Sequence, residues 1–282
     1  MLCFHIGLPK TATTFLQWEV LPTLAQAELI HKEQGAARDR AWLRALKHRC
    51  ITGRRKRWRV RRRWRVRHLR GRLRAGAALI VSSENISMTP DAVWTGAGPG
   101  PEAVAARLAE AAGELDVPAR QVRILFGLRA QAPWLASRYA ESAKHNPHFD
   151  QADFEARLWA IAGADALPDP LRWLDYGHVH DALAGVFGAH NLLFLPVDAL
   201  AGATPDDLRR RIAAHLGLDP DAARPAHHTG RDNRLSGDGE GWRLKSGAGR
   251  ITLPEALRAR IAARFAAQNA RLHARTGIVV QG

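Results

Sequence analysis

Four short apolar runs, set among longer segments of helical spacing, constrain this chain more than any other feature. The first is residues 2–8, LCFHIGL, and the others are Ala77–Ser82, Val122–Leu128 and Asn191–Pro196. Each reads as a buried strand, and Ala77–Ser82 is β-branched in its second half. Around them lie Pro101–Leu115, Asp153–Ala162, Tyr176–Phe187, Pro205–Leu216 and Pro254–Thr276, rich in Ala, Leu, Arg and Glu at helical spacing. Strands separated by helices predict an α/β fold with a largely parallel sheet. In such sheets ligands bind beyond the carboxyl ends of the strands. Gly7–Thr14, Ser83–Ser87, Arg129–Ser137 and the segment after Pro196 are therefore expected to converge on one cleft.

With 282 residues and ordinary hydrophobic content, the chain is of the globular class and has room for a real core. No window approaches 18 consecutive apolar residues, and residues 2–8 read as a first strand rather than a signal segment. Two cysteines, Cys3 and Cys50, make no disulfide framework. A cytoplasmic location is the resulting expectation. The formal net charge is +15, but residues 54–74, RRKRWRVRRRWRVRHLRGRLR, hold thirteen Lys/Arg and no Asp/Glu, which leaves +2 for everything else. The basicity is one local feature on a nearly neutral protein, so it does not by itself indicate nucleic-acid binding.

The first run feeds directly into Gly7-Leu8-Pro9-Lys10-Thr11-Ala12-Thr13-Thr14 and then a helical pattern. A strand, a glycine turn and a helix start together make an anion site, to which Lys10 adds a cation and the threonines add hydroxyls. The pattern is not G-x-x-x-x-G-K-[ST], because the lysine comes three residues after Gly7 and no Gly-Lys pair follows. It resembles the 5′-phosphosulfate-binding loop of the PAPS-dependent sulfotransferases, especially the bacterial ones, whose pattern is close to G-x-x-K-[ST]-G-T-[TS]. Gly7, Lys10, Thr11, Thr13 and Thr14 match, while Ala12 stands where the family has glycine. If that position requires positive φ, alanine there costs about a kcal/mol.

The resemblance implies a P-loop-like three-layer fold with a central, mainly parallel sheet flanked by helices, in a single domain over 1–282. It also implies an Arg at the end of a central strand and a Ser eight residues later, which together hold the donor's 3′-phosphate. Arg129 and Ser137 have that spacing, and a helix starting near Pro133 would put Ser137 one turn in. A guanidinium grips phosphate oxygens bidentately, and a helix-borne hydroxyl adds a donor. QNARLHARTG, 268–277, resembles the family's C-terminal helix, with Gly277 as its cap. Residues 225–250 read as a long loop. Within it, RLSGDGEGWRLK, Arg234–Lys245, resembles the basic Gly-rich loop that closes over the donor, with Arg231, Arg234, Arg243 and Lys245 as candidates.

The implied activity is transfer of a sulfuryl group from PAPS to a hydroxyl or amine of a lipid, glycan or small molecule, leaving adenosine 3′,5′-bisphosphate, with no metal needed. Lys10 would neutralise the leaving phosphate, and the N–H groups of 11–14 would cradle it. A carboxylate just after the second recognised strand, Glu84, points toward the expected cleft and is the candidate base. The alternative is a histidine: His5 beside the loop, or His178, His180, His227 or His228. His178, His180 and Asp181 have poor spacing for a metal site. Residues 54–74 read better as a helix than as a strand. Two readings fit them: peripheral contact with an anionic membrane at its inner face, or a hold on an acidic polymer or acceptor. No nucleic-acid reading module accompanies them. Two further classes stay open on the sequence: a P-loop nucleotide kinase or phosphotransferase, and a nonenzymatic module that binds anionic membranes or nucleic acid through 54–74.

Overall fold

A computed structural model describes residues 1–33, 35–54, 59–89, 91–197, 200, 203–225 and 241–280, with the backbone alone at 59–63. Five parallel strands form its central sheet: β1 (Leu2–Gly7), β2 (Ala27–Ile30), β3 (Ala78–Ser82), β4 (Val122–Leu128) and β5 (Leu192–Pro196), in the order β2-β3-β1-β4-β5. The helices are α1 (Thr13–Phe15), α2 (Ala37–Thr52), α3 (Arg59–Arg74), α4 (Ala92–Thr95), α5 (Pro101–Gly113), α6 (Gln131–Ser142), α7 (Gln151–Gly163), α8 (Tyr176–Phe187), α9 (Pro205–Leu216) and α10 (Glu255–Thr276). A two-residue antiparallel pair, β6 (Trp242–Arg243) and β7 (Arg250–Ile251), lies apart from the sheet.

Strand alternation gives the sheet two buried faces, which makes three layers. On β1, Leu2, Phe4 and Ile6 join a large core with residues of α2, α3, α5, α6, α7, α8 and α10. Cys3 faces the other way, into a smaller core with Leu16, Val20, Leu125, Leu195, Leu208 and Ile212. The architecture is the α/β three-layer fold expected. Most expected elements appear within a residue or two of their bounds. α9 begins with Pro205 behind a Thr204/Asp207 capping box, and α10 stops at Gly277 with φ of 71°.

Two elements differ from expectation. β2 was not legible: AELI sits in an Ala/Leu/Gln/Glu stretch that carries no strand period. The helix after the first loop is regular for only one turn, then continues as a π turn over Leu16–Val20 and a 3₁₀ turn over Leu21–Thr23. The Arg/Trp segment is helical over Arg59–Arg74, as favoured, with Val66 and Leu69 buried. Several of its cations meet carboxylates of neighbouring elements. Arg72 pairs with Asp39 and Glu28, and Arg70 and Arg74 pair with Asp116.

β1 is the central strand, flanked by β3 and β4, and the chain passes from one side of it to the other between them. This is the switch point of the sheet, where a crevice opens beyond the strand ends.

Candidate active site

The loop after β1 is shaped by two glycines on adjacent strands. Gly7, at φ of 145°, pairs with Gly127 of β4, and a Cβ on Gly7 would come within 2.6 Å of the Gly127 backbone. A Cβ on Gly127 would in turn come within 2.6 Å of Thr11 Oγ1. The loop thus folds down over the end of β4, and Leu8 N–H donates to the Gly127 carbonyl at 3.2 Å. The Thr11 hydroxyl is buried and donates to the Leu8 carbonyl at 2.6 Å, so its side chain closes the loop rather than facing the cleft.

Lys10 has φ of 68° and Ala12 φ of 56°, with Thr11 between them at negative φ. This alternation of hand is the backbone pattern of an anion-holding concavity. Ala12 does occupy the left-handed region, so the alanine there is strained. The N–H groups of Ala12 and Thr13 donate to no acceptor among the described residues. Thr13 is buried and Thr14 half-buried at the first turn of α1.

β4 ends at Leu128, so Arg129 lies just past the strand, half-buried, and its carbonyl accepts from the Tyr176 hydroxyl. α6 starts at Gln131 rather than near Pro133, which puts Ser137 in its second turn, buried at 1% exposure. Between them, Trp134 donates its indole N–H to the Pro9 carbonyl at 2.6 Å. Two turns on, Glu141 pairs with Lys10 at 2.9 Å and with Lys144 at 2.9 Å. The same helix therefore carries Arg129 at its approach, Ser137 in its body, and two direct ties to the first loop. Burial alone would raise the Glu141 pKa, but hydrogen bonds and charge from Lys144 and Lys10 hold it at about 2. Lys10 is thus held against α6 by an ion pair.

Glu84 begins the 3₁₀ turn Glu84–Ile86 that follows β3, half-buried. Ser83 N–H donates to the His5 carbonyl, and Ser87 Oγ accepts from Gly7 N–H at 3.3 Å, so this turn is pinned against the loop. Lys47 of α2 has its pKa lowered by burial, an effect that the nearby charge of Glu84 opposes and that of Lys32 reinforces. Arg138, only 3% exposed, also has its pKa lowered by burial, against the raising charges of Glu141, Glu84 and Asp91. His5 is buried and its pKa falls to about 4, so it is neutral. Gln17 donates to Ser82 Oγ at 2.8 Å, and the same hydroxyl shares a 2.7 Å hydrogen bond with His5 Nδ1. Neutral His5 thereby ties the ends of β1 and β3 together.

Arg231 and Arg234 lie outside the described residues, as do His227 and His228. Arg243 is exposed on β6, and Lys245 N–H donates to the Ala140 carbonyl, which docks the end of the predicted closing loop on α6 beside Glu141. His178 pairs with Glu102 at 2.8 Å, away from the loop on α8, and His180 contacts Asp181. Among the described residues no group of three His, Cys, Asp or Glu could hold a metal ion.

One solved structure aligns over nearly the whole chain: a sulfotransferase from Alicyclobacillus acidocaldarius, 15% identical, covering 96% of this chain and 94% of that one, with a TM-score of 0.52. The fold is sulfotransferase-like. A sulfotransferase domain from the curacin biosynthetic pathway aligns over 94% of this chain and 97% of that one at 12% identity, with a TM-score of 0.33 that adds no weight. No protein-family model and no curated protein sequence matches the chain.

Within this sulfotransferase-like fold, sequence reasoning missed the residues that act across the chain. Gly127 had a signal, a glycine inside an otherwise apolar strand, which marks close backbone approach. Trp134 and Glu141 had none, since neither Pro9 nor Lys10 announces its partner more than 120 residues away.

Proposed function

We propose that the protein transfers a sulfuryl group from PAPS to a hydroxyl- or amine-bearing acceptor. The observation that carries this reading is the union of the Lys10 loop with the helix that follows Arg129, through the Trp134–Pro9 hydrogen bond and the Lys10–Glu141 ion pair. Two cationic sites joined this way suit one ligand with phosphates at both ends, and the sulfotransferase-like fold is in keeping with it.

The loop fits such a donor in its own terms. Gly7 and Gly127 leave no room for a side chain where the loop crosses the strand, so the loop backbone lies close against β4, and the N–H groups of 11–14 would cradle the 5′-phosphate. Lys10, released from Glu141, would neutralise the charge that grows on the leaving phosphate. Arg129 and Ser137 would take the 3′-phosphate, and Arg234, which lies outside the described residues, would join them. PAPS supplies an activated sulfuryl group on a phosphate that leaves as adenosine 3′,5′-bisphosphate. Glu84 would accept the acceptor's proton as its oxygen or nitrogen bonds to sulfur and the sulfur–bridging-oxygen bond breaks.

Calorimetric titration with adenosine 3′,5′-bisphosphate, followed by assay of label transfer from ³⁵S-PAPS, tests the reading. Wild type should bind the nucleotide without magnesium, and Arg129→Ala should bind it at least about tenfold more weakly. Glu84→Gln should keep that affinity and lose about a hundredfold or more in kcat. Failure of wild type to bind, or tighter binding of magnesium ATP, would refute the assignment.

A further inference from the structure

α2 and α3 pack side by side and leave a groove of about 610 Å³ lined by Arg38 of α2 and by Trp64, Arg65, Arg67, His68, Arg72 and the small residues Gly71 and Ala75. Its charge is uncompensated in a definite way. The carboxylates nearest to it are taken: Asp39 by Arg72 and His68, and Glu28 by Arg72. Arg38, Arg65 and Arg67 have no ion-pair or hydrogen-bond partner among the described residues. Trp64 stands at the edge with 71% of its surface exposed, on the solvent-facing stripe that also carries Arg67, Gly71 and Arg74.

The groove's walls are mostly carbon: the indole, the arginine stems and the two small residues. Its rim is guanidinium. Such a site suits a ligand with an anionic head on an apolar body. A polysaccharide is hydrophilic along its length and gains little from carbon walls. A single nucleic-acid strand needs successive aromatic platforms, and the groove offers one. An exposed tryptophan flanked by arginines is the arrangement that settles at a bilayer's headgroup level, with long cationic stems reaching back to phosphates. No described helix is long and apolar enough to cross a membrane, so contact would be with one surface.

We propose that the α2–α3 groove docks the headgroup of an acidic phospholipid at a bilayer surface, with Arg38, Arg65 and Arg67 on its phosphate and Trp64 at the acyl boundary. This goes beyond the basic run itself, because Arg38 comes from a different helix. It is also independent of the sulfuryl-transfer reading.

The test is sedimentation of the full chain with vesicles of phosphatidylcholine alone and of phosphatidylcholine with about a quarter phosphatidylglycerol, at about 0.15 M salt. Wild type should bind only the second. The variant Arg38→Glu/Arg65→Glu/Arg67→Glu should lose about a hundredfold in partitioning. A charge-matched variant, Arg44→Glu/Arg211→Glu/Arg260→Glu, alters three exposed arginines elsewhere and should lose at most a few-fold. Brominated acyl chains should quench wild-type fluorescence, and Trp64→Ala should lose that quenching. Equal losses in the two triple variants would overturn the site in favour of diffuse attraction. So would absence of binding to the acidic vesicles, or their displacement by an equal charge of heparin or single-stranded DNA. All these positions are exposed or half-buried, and circular dichroism of each variant should match wild type.

Discussion

Single residues in the first loop store strain and charge. Ala12 sits at φ of 56°, where a Cβ costs about 1–2 kcal/mol, while glycine there costs some entropy in the unfolded chain. Ala12→Gly should therefore stabilise the protein by about 0.5–1 kcal/mol in urea denaturation, and a loss of stability would mean the alanine methyl is needed. Glu141 presents the opposite case. Its carboxylate neutralises Lys10 and would stand against an incoming phosphate. The pair is partly exposed, so Glu141→Gln should cost at most about 1 kcal/mol of stability. It should also bind adenosine 3′,5′-bisphosphate about fivefold more tightly, because Lys10 is released and a repelling charge is gone. Weaker binding would show that Glu141 holds Lys10 in its working position.

At the scale of elements, the site depends on α6 staying against the loop. Trp134 is fully buried, and its indole N–H satisfies the Pro9 carbonyl. Trp134→Phe keeps an aromatic ring but leaves that carbonyl without its donor. A loss of about 2–3 kcal/mol follows from the unsatisfied carbonyl and the smaller ring. Nucleotide affinity should fall as well, although Arg129 and Ser137 are intact. Unchanged affinity would mean that the loop keeps its place without α6. This dependence explains what the sequence could and could not disclose. β1, β3, β4 and β5 were legible because each is a continuous apolar run buried on both faces. The Gly7–Thr14 and Arg129–Ser137 stretches stood out as candidates because the chemistry proposed for them is local to a few residues. The four-residue β2 carried no periodic signal, and the ties through Trp134 and Glu141 are products of packing between distant segments.

Over the whole molecule, positive charge is concentrated on α3 and the residues before it, while the sheet is nearly free of charge and carries a histidine that burial keeps neutral. His5 is buried against Ser82, and its pKa is lowered to about 4 by burial. His215 is lowered to about 4 by burial and by the nearby charge of Arg123, against the backbone carbonyls of Asn191 and Ile124, which favour its protonated form. In the unfolded chain both titrate near the ordinary histidine value of about 6.5. As pH falls from 6.5 toward 4, the unfolded state gains protons that the folded state refuses, so stability is complete above that window and declines within it. Below about 4 both states are protonated and the histidine contribution stops changing. For His5 the decline amounts to at most about 3 kcal/mol. His5→Asn keeps an amide able to hydrogen-bond the Ser82 hydroxyl but does not titrate. Urea midpoints measured from pH 7 to pH 4 should therefore fall less steeply for His5→Asn than for wild type. Parallel curves would mean that His5 takes up its proton in the folded state as readily as in the unfolded one.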